Sequence, residues 1–314
     1  MKTFMTVLVS ALNFSGAALL VADDTLNLED IELPSLTDGA SVEPETSTEK
    51  YTLRYHFREG DVIRYETTRV GELRIAVGEH SKSDISRVRQ IRRFDVTNVD
   101  DSGAADLMMR FEHVEMSLQT NDGEPIVFRS DMSPEEVPRR FARMASKLTE
   151  AAPHFTVLPT GAPLSKEREL VRPKEEQNET RLMLPLPAEP VAVGQTWKYY
   201  NTVTVRIAED VNRGIRLLTS CRLKSVEDGV AEITFRTSSV SHVKSPSVKA
   251  LLIEAFPKGH VMFDIDTGRI VRRVVRNDNS VYGAHGAGSL LTTSAQAVET
   301  LLPTEAVVSV NSTD

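Results

Sequence analysis

The stretch LPLPAEPVAVGQTWKYYNTVTVRI, residues 184–207, carries the only tryptophan of the chain, Trp197. Beyond its prolines it alternates. Trp197, Tyr199, Val203, Val205 and Ile207 fall on one face of an extended segment, with Lys198, Thr202, Thr204 and Arg206 on the other. A period of two marks a half-buried strand, because successive side chains leave a pleated backbone on opposite sides. An earlier stretch, FREGDVIRYETTRVGELRI at residues 57–75, places Gly60, Arg64 and Tyr65 where Gly194, Lys198 and Tyr199 stand later. The chain repeats itself, and the repeat decides the architecture.

Working outward, NVDDSGAADLMM (98–109) matches SVEDGVAEITF (225–235), and HFTVLPTGAPL (154–164) matches HVMFDIDTGRIV (260–271). The matched glycines, Gly60 with Gly194, Gly103 with Gly229 and Gly161 with Gly268, lie at offsets of 134, 126 and 107, always in the same order. Conserved order across three turns is a stronger argument than any one match. The first copy has the longer loops. Two copies are too few for a solenoid, so the expected fold class is α+β, predominantly antiparallel β. Two duplicated curved-sheet lobes, each with a helix packed on it, are expected over residues 51–170 and 184–303. The charged, aperiodic stretch beginning VRPKEEQNETR makes 171–183 the linker between them.

Within each lobe, runs such as Tyr51, Leu53, Tyr55 and Phe57, or Ala105, Leu107, Met109 and Phe111, alternate and are joined by turn residues, which predicts a meander. The first predicted helix spans 133–152. Ser133 and Glu136 have capping-box spacing, Pro134 suits the first position, and Val137, Phe141, Met144 and Leu148 form an apolar stripe. Pro138 removes a donor inside it, so the regular helix is expected to begin a turn late. A shorter helix is expected over 247–256.

The N-terminus is of a different kind. Residues 1–22 join Lys2 to an uncharged apolar run that stops at Asp23, the pattern of a secretory signal peptide. An uncleaved N-terminal anchor is the competing reading, since the run nears bilayer-spanning length. Residues 23–50 hold nine acidic residues against Lys50 alone and show no period, so they read as an acidic tether unable to offset its ordering entropy by burial. The tail 304–314 reads as frayed. The formal charge of −8 resides in that tether, and the near-neutral body gives no field for nucleic acid. One cysteine, Cys221, excludes an intramolecular disulfide and a Cys-based zinc site, and its apolar-face position predicts a buried, inert thiol.

Candidate chemistry is sparse. Asp266-Thr267-Gly268 is similar to the catalytic turn of aspartic proteases, but that chemistry needs two carboxylates, and the matching position in the first copy is Pro159. A hairpin turn is the expectation. Gly283–Ser289, GAHGAGS, reads as a flexible turn; no Gly-x-Ser-x-Gly elbow accompanies it. The seven histidines show no HExxH spacing, so neither metal nor cofactor is expected. Arg87, Arg89 and Arg93 share one strand face, while Arg269, Arg272, Arg273 and Arg276 crowd another. Solvated surface paired with acids is the expectation, and anion binding the functional remainder. If sheet and helix enclose a cavity, Trp197, Tyr199 and Tyr65 are the residues expected to line it.

Phe57 to Tyr65 (F-x-x-G-D-x-x-R-Y), Leu184 to Trp197 (LPLP-x-x-P-V-x-V-G-x-T-W) and Asp264 to Ile270 (D-x-x-x-G-R-I) resemble a family of uncharacterised secreted proteins of planctomycete-type bacteria. The likeness covers most of 51–302 and implies export and architecture, but no activity. The leading expectation is a non-enzymatic, exported periplasmic, cell-envelope or secreted protein that acts by binding, its partner an envelope protein or an apolar ligand. The second is a carrier of lipid or another apolar ligand in a cavity between sheet and helix. A hydrolase with an unrecognised site is the third.

Overall fold

A computed structural model describes residues 49–150, 152–163, 183–208 and 211–303. The leader, most of the acidic tether, the linker through residue 182 and the C-terminal tail lie outside the described residues. Among these, no helix is long and apolar enough to cross a membrane.

Eleven strands form one antiparallel sheet. From the first half come β2 (Val62–Val77), β3 (His80–Val99), β4 (Ala105–Thr120), β5 (Ile126–Arg129) and β6 (His154–Val157). The second half supplies β8 (Thr196–Ala208), β9 (Val211–Glu227), β10 (Val230–Ser239), β11 (Lys258–Asp264), β12 (Arg269–Tyr282) and β13 (Ser289–Leu301). The order is β5-β4-β3-β2-β13-β12-β11-β10-β9-β8, and β6 also pairs with β4. Both halves therefore share one hydrogen-bonded sheet, joined at the β2–β13 seam from Tyr65↔Leu301 to Val77↔Ser289. A separate short ladder pairs β1 (Lys50–Tyr51) with β7 (Val191–Ala192).

The turns follow from composition. Asp228 and Gly229 both have positive φ, 48° and 77°, the geometry that a two-residue hairpin loop requires to match strand twist. At the equivalent corner, the Asp100 carboxylate accepts from the amides of Ser102 and Ala104 at 2.8 and 3.0 Å.

The sheet curls until its edges nearly meet. Laid flat, β6 and β8 would lie about 43 Å apart at the usual strand spacing. Yet the Leu186 amide donates to Thr160 O, just past β6, at 2.8 Å, and the Trp197 indole N–H on β8 donates to Pro185 O at 2.9 Å. Two edges thus grip consecutive residues of one segment. Tyr55 completes the closure: its amide donates to Pro159 O, its hydroxyl donates to Leu184 O and accepts from Leu184 N, and its ring meets Phe263 of β11 edge-on at 5.4 Å. Around this plug lies the main core, drawn from β2, β3, β4, β6 and β9 to β12, with Leu53, Leu107, Leu223, Ile233 and Phe263 fully buried.

The first helix is shorter than its sequence suggested. α1 spans Ala142–Leu148, preceded by turns from Pro134 onward, so Pro138 delays it by two turns rather than one. Ser133 still donates to the Glu136 carboxylate, from its amide at 3.1 Å and its hydroxyl at 2.9 Å, outside any helix. α2 spans Pro246–Leu251 and is capped by Ser245, whose hydroxyl accepts from Val248 N. Toward the end of the sheet away from Tyr55, smaller apolar clusters lie beneath these elements: Val88, Val114, Met116, Phe128 and Phe141 near α1, and Val205, Ile215, Leu217, Val248 and Leu252 near α2.

Candidate functional site

The two helices cover the sheet unequally. α2 drives Val248 into the cluster beneath it and is followed at once by Leu252, 1% exposed, so that helix is anchored in its cluster. α1 contributes no fully buried side chain; Met144, Ala145 and Leu148 only lean on their cluster. Between α1 and the sheet remains a cleft of about 550 Å3. Its floor is Phe111 of β4 and Phe128 of β5, and its roof is Val137, Ala142, Ala145 and Leu148. Met132 and Pro134 also line it. Phe128 stacks on Phe141 at 5.8 Å, which fixes the floor. A third of the lining residues are polar, namely Glu112, Ser130, Ser146 and Thr149. Of these, Glu112 is already engaged by Arg64 at 2.7 Å, and the Ser130 hydroxyl accepts from Val114 N at 3.0 Å. Such a lining offers contact area and little directed chemistry.

A second cleft, of about 380 Å3, adjoins Trp197. It is lined by Pro185 to Val191 and by Gln195 to Tyr199. Two of the three residues expected to line a cavity, Trp197 and Tyr199, meet there. Tyr65 does not. It sits six strand positions away on β2, buried, with its ring edge-on to Phe94 at 6.2 Å, and burial raises its phenol above the ordinary range. The Trp197 N–H is consumed by Pro185 O, and Glu189 and Lys198 share the rim, so this cleft reads as the seam of the closure.

The inward face also holds a buried ion-paired triad. Glu299 on β13 accepts from Arg92 on β3 and Thr67 on β2 through one oxygen, and pairs with Arg273 on β12 through the other at 2.8 Å. Burial lowers the Arg92 guanidinium, against the pull of Glu299. The arginines crowded at 269–276 thus separate by face: Arg273 turns inward, Arg269 pairs with Asp61 at 2.8 Å, and Arg272 and Arg276 lie on the outer side.

The other candidates fall out as follows. Asp266-Thr267-Gly268 is the β11–β12 turn, with Asp266 exposed and the Thr267 amide bonded to Asp264 at 2.9 Å. GAHGAGS is the β12–β13 turn, closed by the Ser289 hydroxyl donating to Gly286 O at 2.7 Å. Cys221 is a free thiol, 1% exposed, and burial pushes it up to about 12. Among the described residues no three His, Cys, Asp or Glu side chains gather as for a metal. The sequence placed a cavity between sheet and helix at Trp197, Tyr199 and Tyr65 and not under α1, although the Val137, Phe141, Met144, Leu148 stripe interrupted by Pro138 was a signal for the latter. A stripe that faces the sheet from a broken helix cannot fill the space an unbroken one would.

No family model matches the chain. No curated protein matches it either. Among solved structures, DynF from the dynemicin biosynthesis pathway of Micromonospora chersina aligns over 86% of this chain and 92% of its own. The identity is 8% and the TM-score 0.18, a likeness that supports no statement about fold or function.

Proposed function

We propose that this is a non-enzymatic, exported binding protein that holds an apolar small molecule, such as a lipid acyl chain, in the cleft between α1 and the sheet. The observation that carries the reading is the unfilled space under α1: about 550 Å3, within the size range of small-molecule sites, floored by two phenylalanines and roofed by a helix with no fully buried residue. The plain interaction-module reading has less support, because it assigns no role to the cleft. Export rests on the leader pattern and on the family resemblance.

Gene duplication supports the reading by supplying a comparison. Three ladders repeat their registers: Ile63↔Phe94 with Trp197↔Cys221, Phe94↔Met109 with Cys221↔Phe235, and Leu107↔Phe155 with Ile233↔Val261. Even the irregularity recurs, with Thr97 skipped in the first copy and Lys224 in the second. We infer two copies of one unit, one with its helix anchored in the core and the other with its helix standing off it, a divergence expected if only the second copy binds.

The test is titration with a dansyl-labelled fatty acid. Saturable 1:1 fluorescence enhancement is expected, weakened roughly tenfold or more by Ala145→Trp, which fills the cleft, and unchanged by Lys198→Ala at the Trp197 cleft. Equal affinity in wild type and Ala145→Trp would overturn the proposal.

A further inference from the structure

Across the outer face of the sheet, the ladder registers align one continuous row of residues: Lys198, Ser220, Arg236, Lys258, Arg276, Gln296, Val70, Arg87 and Ser117, one from each strand from β8 to β4. Directly paired residues face the same side of a sheet. The row therefore presents five cations and no anion. The adjoining row, from Thr196 to Glu115, adds Arg222, His260 and Arg89 and one anion, Glu115, directly opposite Arg89. Compensation is thin: Lys258 meets Asp278 at 3.7 Å with both about half exposed, Arg89 meets Glu66 at 2.6 Å, and Arg276 bonds the neutral Gln296. His260 registers the local field. Burial holds its imidazole below the usual range, and Arg272, Lys224 and Arg276 push the same way against Glu232.

The N-terminal segment carries the opposite sign. The described residues hold 31 Lys and Arg against 28 Asp and Glu, a net +3, whereas residues 23–48 hold eight acids and no base. That segment also starts from the right place. Two residues beyond its end, Lys50 pairs with Ala192, and Ala192 turns through Gln195 into β8, whose Lys198 begins the row. From Lys198 to Arg87 is seven strand spacings, about 34 Å along the sheet, while 26 residues can reach more than twice that. Tethering confers an effective concentration on the order of millimolar, which favours it over a dissolved anion.

We propose that the acidic segment 23–48 lies along this cationic row as its own intramolecular occupant, shielding the outer face from anionic surfaces. The contact is electrostatic and register-tolerant, so it needs no secondary structure in the segment. It is independent of the cleft under α1, which lies on the opposite face.

Zero-length carbodiimide cross-linking of the full chain tests it, read by peptide mass spectrometry. Links from Asp38, Glu43 or Glu45 to Lys198 and Lys258 are expected. They should fall roughly tenfold between 0.1 M and 1 M salt, as the screening length drops from about 10 Å to about 3 Å. They should fall similarly in Arg236→Glu/Arg276→Glu, which keeps both reactive lysines. Links spread equally to Lys82, Lys147 and Lys249, or unmoved by the double substitution, would overturn the proposal. A second readout uses vesicles containing phosphatidylserine. A full chain with the eight acids of 23–48 changed to Asn and Gln should bind them while the native chain does not. Equal capture by both would mean that the face is open to external partners.

Discussion

Glu299 is the single side chain on which most of the interior charge depends, because three strands, β2, β3 and β12, direct a donor at it. At 5% exposure it cannot be replaced by water without opening the sheet. Glu299→Gln should therefore cost about 3–5 kcal/mol, since it leaves Arg92 and Arg273 as uncompensated buried cations and turns an amide N–H toward one of them. Urea denaturation should show a lower midpoint at unchanged slope. A loss below about 1 kcal/mol would mean that solvent already reaches the triad. Nothing in the sequence announced this group: Glu299 sits in VETLL beside apolar neighbours, the β12–β13 pairing sets it opposite Arg273, and the β2–β13 and β2–β3 pairings bring Arg92 to it.

At the level of elements, alternation was legible where one face was plainly apolar, as in β8, β9 and β10, and the Asp-Gly and Asp-Ser-Gly corners were legible because few other residues adopt their backbone angles. The helices were legible in place and stripe, less so in length. Ser133 has the spacing of a cap, but the helix it was expected to start begins only at Ala142, where Phe141 offers no side-chain acceptor. Ser245 does act as a cap. Ser245→Ala should thus cost about 1 kcal/mol, whereas Ser133→Ala, outside any helix, should cost less than about 0.5 kcal/mol. Thermal unfolding of the two variants separates these expectations, and equal losses would place Ser133 in a structural role that its hydrogen bonds do not suggest. The cleft under α1 was the least legible feature, because an empty space is a property of what fails to meet.

For the whole molecule, closure depends on the two segments 53–57 and 184–187, which touch both edges of the sheet and one another. Tyr55 is the common member, and Gly161 is shaped around it: a Cβ there would fall 2.5 Å from the Tyr55 ring and 2.8 Å from Leu184 O. Tyr55→Phe keeps the ring and strands both polar groups of Leu184, so it should cost about 1–3 kcal/mol. Faster amide exchange is expected at Leu184 and Leu186 ahead of the β3–β4 ladder. Unchanged exchange there would mean that the edges hold without this link. The sequence pattern predicted two lobes; what it could not convey is that the two halves zip into one sheet, since strand partners far apart in sequence leave no local mark.

The seam between β2 and β13 sets a timetable for biosynthesis. Val77 is made early, but its neighbour across the ladder, Ser289, and the last paired residue, Leu301, come more than two hundred residues later. At ordinary translation speeds the interval is roughly 10–45 s, during which the finished hairpin of β2 and β3 waits with one side unsatisfied. A ribosome stalled anywhere in the second half therefore releases a product with a sticky strand. Quality control would meet that margin first, and the outward Arg64, Glu66, Glu72 and Arg74 are suited to keep the waiting strand from pairing with the wrong neighbour.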